Sequence, residues 1–295
     1  MPLWSRYIPV STVEDGLEAL ASAPGPACPI AGGTDLLLEL DQGERLAVES
    51  LVDVSAVSEM NRLELRSGGL FVGAAVPVGR IAEDERTRTH GECLAEACGL
   101  IAGPQVREVA TLGGNVAHAL PAADGAIALV ALDAQAEVAS AGGRRTVPML
   151  ALFKGVRQSA LIADRELLVG FTLPERHLGE ACAFARVMRP QGVALPIVNM
   201  AVWLRREAEA IAEVRIAVGP AGPTPQRAYE VESFLIGKAL TPGVIKEADA
   251  VMRGSLRFRS SADRGSADYR YHLGSVLLGE TLQNAWDRAE IREVA

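Results

Sequence analysis

Aromatic residues are scarce: Phe, Trp and Tyr together make up 4% of the 295 residues. Any core must therefore be built from Ala, Val, Leu and Ile, and a hydrophobic content of 49% is enough for that. Positive charge is not in excess either. The net charge is −8 and no basic patch carries interleaved aromatics, which argues against a general nucleic-acid binder. Cysteine is limited to Cys28, Cys93, Cys98 and Cys182, none in a CxxC pair. The histidines, His90, His118, His177 and His272, are scattered without HExxH spacing. An iron–sulfur or zinc site within this chain is not expected, and the thiols read as small buried or surface side chains in a reducing compartment. No apolar run approaches the roughly 18 residues of a membrane helix. The opening MPLWSRYIPV lacks the basic-then-apolar layout of a signal peptide. The expectation is a cytoplasmic protein with no membrane insertion. Internal repeats and low-complexity tracts are missing too.

What is present points to a mixed α+β chain. The length predicts two or three domains. Ser11-Thr12-Val13-Glu14 reads as a capping box opening a helix to about residue 23. Ile30 and Ala31 end a short buried strand, and a short apolar helix starts at Asp35. Strands are expected at 51–54, at 63–65 and 70–72 as a hairpin, at 136–138 and 145–147, and at 167–173. Helices are expected at 77–81, 92–100 and 123–132. Past residue 176 the pattern changes. Strands at 181–187, 198–204 and 214–218 are followed by helices over 228–236, 244–253 and 266–286. The last carries Leu273, Val276, Leu277 and Leu278 as a core stripe.

Two glycine-rich stretches, AGGTDL from Ala31 and TLGGNVAHALPAAD from Thr111, carry the chemistry. Glycine reaches positive φ and has no side chain to hold a ligand away. Successive backbone N–H groups can then converge into an anion-binding nest, aided by a following helix. Gly32, Gly33, Thr34 and Asp35 form one such segment, and Thr111, Gly113, Gly114 and Asn115 the other. Together they suit a pyrophosphate. Asp124 cannot hold phosphate; it suits a ribose or ribityl hydroxyl, a flavin ring N–H, or a plain helix cap. The bland alternative is two tight turns. Neither segment fits the GxGxxG fingerprint, and a GxxxxGK[ST] P-loop is absent.

AGGTDL followed by TLGGNVAHALPAAD resembles the two FAD-binding segments of the molybdenum hydroxylase flavin subunits, the medium subunits of xanthine, aldehyde and carbon monoxide dehydrogenases. GPAGPTPQRAYEVESFLIGKAL and RGSADYRYHLGSVLLGETL resemble the C-terminal domain of the same family, so the likeness covers nearly the whole chain. The resemblance implies an FAD-binding fold of the vanillyl-alcohol-oxidase type over residues 1–176. Its two α+β subdomains would cover about 1–56 and 57–176. A C-terminal domain over 177–295, a three-stranded antiparallel sheet plus a helical bundle, would follow. It implies that Pro29, Ile30, Ala31, Gly32, Gly33, Thr34, Asp35 and Leu36 form the first pyrophosphate loop, and Thr111, Gly113, Gly114 and Asn115 the second. Asp124 falls on the flavin side, Ile101 where relatives often carry an aromatic, Leu168 at the adenine end, and Arg186 where lysine is common. The segment MRPQGVALP is unlike the loop that faces the electron acceptor in NAD-using relatives. No cysteine-rich insertion marks the benzoyl-CoA-reducing branch.

The implied function is an FAD-binding electron-transfer subunit, an oxidoreductase component with no catalytic acid or base and no metal ligand of its own. FAD would be non-covalent, since AGGTDL holds neither His nor Cys. Electrons would come from the [2Fe–2S] clusters of a small partner subunit and leave to NAD, oxygen or a quinone. A large partner subunit would carry the molybdenum cofactor, in a dimer of heterotrimers. The alternatives are a stand-alone flavin oxidase of the same fold and an assembly protein that has lost FAD.

Overall fold

The computed structural model describes residues 3–189, 195–261 and 265–289. It is a mixed α/β fold built on three principal sheets. The first is parallel, in the order β1–β3–β2, from strands β1 (Arg6–Pro9), β2 (Ala27–Ile30) and β3 (Ser50–Asp53). Helices α1 (Val13–Ala21) and α2 (Leu36–Asp41) make its crossovers. Strand β1 was not expected from the sequence: a four-residue, mostly exposed strand has neither a hydrophobic run nor clean alternation to betray it. The cap of α1 lies one residue later than the expected capping box. Thr12, not Ser11, caps the helix, accepting the Asp15 N–H at 3.0 Å.

The second sheet is antiparallel, in the order β4–β5–β10–β6–β7. The hairpin of β4 (Leu63–Arg66) and β5 (Gly69–Gly73) is followed by six helices: α3 (Val78–Glu83), α4 (Glu85–His90), α5 (Glu92–Leu100), α6 (Pro104–Arg107), α7 (Leu112–Ala117) and α8 (Asp124–Ala131). Strands β6 (Gln135–Ser140) and β7 (Gly143–Pro148) come next, then the small pair β8 (Phe153–Gly155) and β9 (Gln158–Ser159), then β10 (Glu166–Pro174). Every residue of α8 is buried. Such an apolar helix has no solvent face to offer, and it packs against α5 and, in the third sheet, against β12 and β13.

The third sheet joins β11 (Glu180–Met188), β12 (Pro196–Glu207) and β13 (Ala210–Gly219) as antiparallel neighbours and adds the two-residue β14 (Gln226–Arg227). Helices α9 (Tyr229–Leu235), α10 (Pro242–Ser255) and α11 (Ala267–Arg288) complete this part. In α11, Leu273, Leu277 and Leu278 are buried as expected. Val276 is not: it flanks the stripe and is half-exposed. All four cysteines are free and buried. Among the described residues no helix is long and apolar enough to cross a membrane.

One buried ion pair anchors the third sheet to its helices. The Glu232 carboxylate on α9 accepts from the Ile216 N–H at 2.8 Å and from Arg227 Nε and Nη2 at 2.6 and 2.7 Å. Removing one partner strands the other charge in a dry site, at a cost of about 3–5 kcal/mol. Arg227→Met is therefore expected to lower unfolding free energy by about that amount in urea titrations. A variant within 1 kcal/mol of the parent, roughly the worth of a surface pair, would count against this anchor.

Candidate functional site

A cavity of about 920 Å³ is lined by the β2–α2 segment, the α5–α6 loop, α7, the start of α8, β10 and β11. Residues 29–36, Ile101, Thr111, Gly113, Gly114, Asn115, Asp124, Leu168 and Arg186 all line it. Every residue singled out from the sequence is thus brought to one place.

The first glycine segment keeps its donors free. Gly33 has φ +65, a left-handed conformation that favours glycine. A Cβ on Gly32 would fall 2.0 Å from the Val109 carbonyl oxygen, so only glycine lets the loop lie against that backbone. The N–H groups of Gly32, Gly33, Thr34 and Asp35 make no hydrogen bond among the described residues. They form the kind of N–H cluster that receives an anion.

The second segment does not act that way, and the nest expected there is corrected. It is the first turn of α7, capped by Thr111, whose Oγ1 accepts the Gly114 N–H at 3.1 Å. The Leu112 N–H donates to Val76 O, the Gly113 N–H to Ala74 O and the Asn115 N–H to Thr111 O. The N–H groups of residues 112–115 are consumed inside the protein, while the Thr111 N–H makes no hydrogen bond among the described residues. The glycine at 113 serves close approach, because a Cβ there would sit 2.6 Å from Ala74 O. What this turn brings to the cavity is the Asn115 side chain; its Oδ1 is turned away, buried against Gly125 with no partner among the described residues.

Asp124 is not a helix cap. Ala123 occupies the cap position of α8, with no side-chain bond. The Asp124 carboxylate is buried and held from the third sheet: Arg186 Nη1 donates to Oδ2 at 2.5 Å and Asn199 Nδ2 to Oδ1 at 2.7 Å. Burial pushes its carboxyl up to about 6, against the opposing pull of the Arg186 guanidinium and the Asn199 amide. Arg186 also donates from Nη2 to the Leu100 carbonyl, and its buried Nε has no partner among the described residues.

Residues 4–176 match the family model described as the FAD binding domain in molybdopterin dehydrogenase, and residues 182–285 that of the CO dehydrogenase flavoprotein C-terminal domain. The chain belongs to this family of FAD-binding subunits. It is 34% identical over 285 residues to the nicotine 6-hydroxylase medium subunit of Paenarthrobacter nicotinovorans, spanning 96% of this chain and 98% of that one. It is 30% identical over 286 residues to the xanthine dehydrogenase FAD-binding subunit of Escherichia coli O157:H7, spanning 96% of each. Among solved structures, carbon monoxide dehydrogenase from Hydrogenophaga pseudoflava lacking the Mo-pyranopterin moiety superposes with a TM-score of 0.90 at 26% identity. The match covers 98% of this chain and 99% of that one.

The cavity of this flavin subunit fits the dinucleotide its family binds. Free loop N–H groups suit anionic oxygens, and the Asp124 carboxylate suits an N–H or hydroxyl. Ile30, Ile101, Leu167 and Leu168 supply apolar wall for flat rings. Alternate strand residues normally face opposite sides, yet Leu167 and Leu168 both line the cavity, beside a register shift between Leu168 and Gly170.

Several wall residues were not read from the sequence. His118 Nε2 lies 2.8 Å from Glu39 Oε1, and Arg157 pairs with Glu44 at 2.7 Å, tying α2 and the turn after it to the segments after α7 and β8. Arg157 adopts φ +56 and donates its N–H to Ala119 O. Of these, only His118 had a local signal, lying inside the second quoted stretch. Asn199, which does not line the cavity but holds Asp124, had one too, an amide in the middle of the apolar run IVNMAVWL. In the segment MRPQGVALP, residues 190–194 lie outside the described residues; Leu195 and Pro196 line the cavity.

Proposed function

We propose that this chain is the electron-transferring flavin subunit of a molybdenum hydroxylase, standing between the [2Fe–2S] clusters of a small partner subunit and an acceptor such as NAD, oxygen or a quinone. A large partner subunit carries the molybdenum cofactor and the hydroxylation, and the complex is a cytoplasmic dimer of heterotrimers. The observation that carries this reading is the convergence of both glycine segments, Asp124 and Arg186 on one cavity in a chain of this family. Residues 1–176 act as the FAD-binding domain, of the vanillyl-alcohol-oxidase type with subdomains at about 1–56 and 57–176. Residues 177–295 act as the C-terminal domain.

FAD bound in the cavity supplies the redox chemistry; the chain supplies position and field. The free N–H groups of residues 32–35 hold the diphosphate. The Asn115 side chain, not the N–H groups of its turn, is the contribution of the second segment. Ile101 and Leu168 cover apolar ring faces, and Asp124, fixed by Arg186, accepts from the polar edge of the flavin. Attachment is non-covalent. Cys28, the thiol next to the first loop, is buried, its thiol is pushed up by that burial, and it points its S–H at the Pro29 carbonyl.

Expressed by itself, the chain is expected to purify yellow with one FAD and to hydroxylate nothing. Co-expressed with a molybdenum subunit and a [2Fe–2S] subunit, it should purify in equal ratio with both, as read by quantitative gel and metal analysis. Turnover of an organic substrate by the isolated, molybdenum- and iron-free chain with oxygen as sole acceptor would establish the stand-alone oxidase instead.

A further inference from the structure

Three residues line up across the third sheet directly beneath the start of α8. Arg186 on β11 is the register partner of Asn199 on β12, and Asn199 is the register partner of Gly219 on β13. Register partners share one face of a sheet. Each member of this row meets the segment that carries Asp124. Arg186 reaches Asp124 Oδ2, and the Asn199 amide nitrogen reaches both Asp124 Oδ1 at 2.7 Å and the Ala122 carbonyl at 3.0 Å. Gly219 contributes space: a Cβ there would fall 2.4 Å from Pro121 O and 2.9 Å from Ala122 Cα. Asn199 is 0% exposed within the apolar run IVNMAVWL, where a polar amide is costly unless its bonds are used; its Nδ2 bonds are used, while its Oδ1 has no partner among the described residues.

We propose that the row Arg186–Asn199–Gly219 is the socket through which the C-terminal domain sets the Asp124 carboxylate at the cofactor cavity, with Asn199 as a positioning residue for the flavin end of FAD. Asn199 is not among the cavity-lining residues, so it acts through Asp124. Because Arg186 takes Oδ2 and Asn199 takes Oδ1, the carboxylate is gripped at both oxygens and cannot rotate about its last torsion. Its remaining lone pairs are fixed in direction, as an orienting shell requires. Asp124 also acts on the Cys98 thiol on α5, which is fully buried and held protonated by that burial and by Asp124 itself. The socket therefore leaves Arg186 as the charged partner and Asn199 as the neutral one.

The inference rests on FAD occupying this cavity, and its test separates the two. FAD and ADP are titrated into the deflavinated full chain, into Asn199→Leu and into the isosteric Asn199→Asp, and the reduction potential of bound FAD is measured for each. ADP reports the diphosphate loop and lacks the flavin end. With Asn199→Leu, FAD affinity is expected to fall about tenfold or more, the worth of one charge-assisted bond. ADP affinity should stay within about twofold, and the potential should rise as the freed carboxyl takes up a proton more readily. With Asn199→Asp, two facing carboxylates repel at pH 8 and weaken FAD further; at pH 5 the pair shares a proton and affinity recovers. FAD and ADP weakening together, or unchanged FAD affinity and potential in both variants, would overturn the proposal. An unaltered chain that binds no FAD would instead sink the cofactor reading itself.

Discussion

Gly32→Ala is expected to yield a protein that purifies colourless. The added methyl would lie 2.0 Å from Val109 O, 2.7 Å from Val109 C and 3.0 Å from Ala110 Cα. These are backbone atoms of the segment that leads into α7, so no side-chain rotation relieves the clash. Either the β2–α2 loop lifts away or residues 109–110 give way, and both carry cavity wall. The free N–H groups of residues 32–35 then lose their common aim. Each such bond to an anion is worth about 1.5–3 kcal/mol, so misaligning one costs about tenfold to a hundredfold in affinity. FAD content after purification should drop below about a tenth of the parent's. Gly254→Ala, in α10 with nothing within 4 Å of its Cβ, is the control and should gain about 0.5–1 kcal/mol of stability with full FAD content. Absorbance at 450 nm against protein concentration decides the matter, and a fully yellow Gly32→Ala protein would refute the role given to this loop.

Much of that site was legible because its signals are local. Gly32 and Gly33 announce a backbone that needs positive φ or close contact, and the structure uses one for each. Helix α8 was legible as an unbroken apolar run, and the strands of the third sheet as alternating or continuous runs of Val, Ile and Ala. The misreading at Thr111 has an equally physical origin. Thr-Leu-Gly-Gly can be a nest or a capped helix start, since both place a hydroxyl before two small residues. The choice depends on whether Ala74 and Val76 lie within reach to take the N–H groups, which is a tertiary fact. The same holds for Asp124. Its position before an apolar helix suggests a cap, while its partners Arg186 and Asn199 come from strands 62 and 75 residues later.

Arg186→Met is expected to destabilise the deflavinated chain in a way that depends strongly on pH. Asp124 stands at about 6 in the folded protein against an ordinary 3.8, because burial opposes its charge more than Arg186 and Asn199 favour it. A carboxyl raised on folding binds more protons in the native than in the unfolded state between those values. Its contribution to stability therefore falls as pH rises from about 4 to about 6 and is level above that. Removing the guanidinium takes away the strongest of the groups that favour the charge. The folded value then climbs higher, and the window of loss extends through neutral pH. At pH 8 the carboxylate is left buried with Asn199 as its remaining partner, and about 3–5 kcal/mol should be lost. At pH 5 the carboxyl is protonated in the folded variant, and the loss should shrink to about 1–2 kcal/mol, the cost of the Leu100 carbonyl abandoned by Nη2. Arg186→Lys, which keeps a charge but not the fork that spans Asp124 and Leu100, should fall between the two. Urea denaturation at pH 5 and pH 8 measures all three proteins. A loss of equal size at both pH values would mean that Arg186 contributes packing and not charge, and that Asp124 does not depend on it.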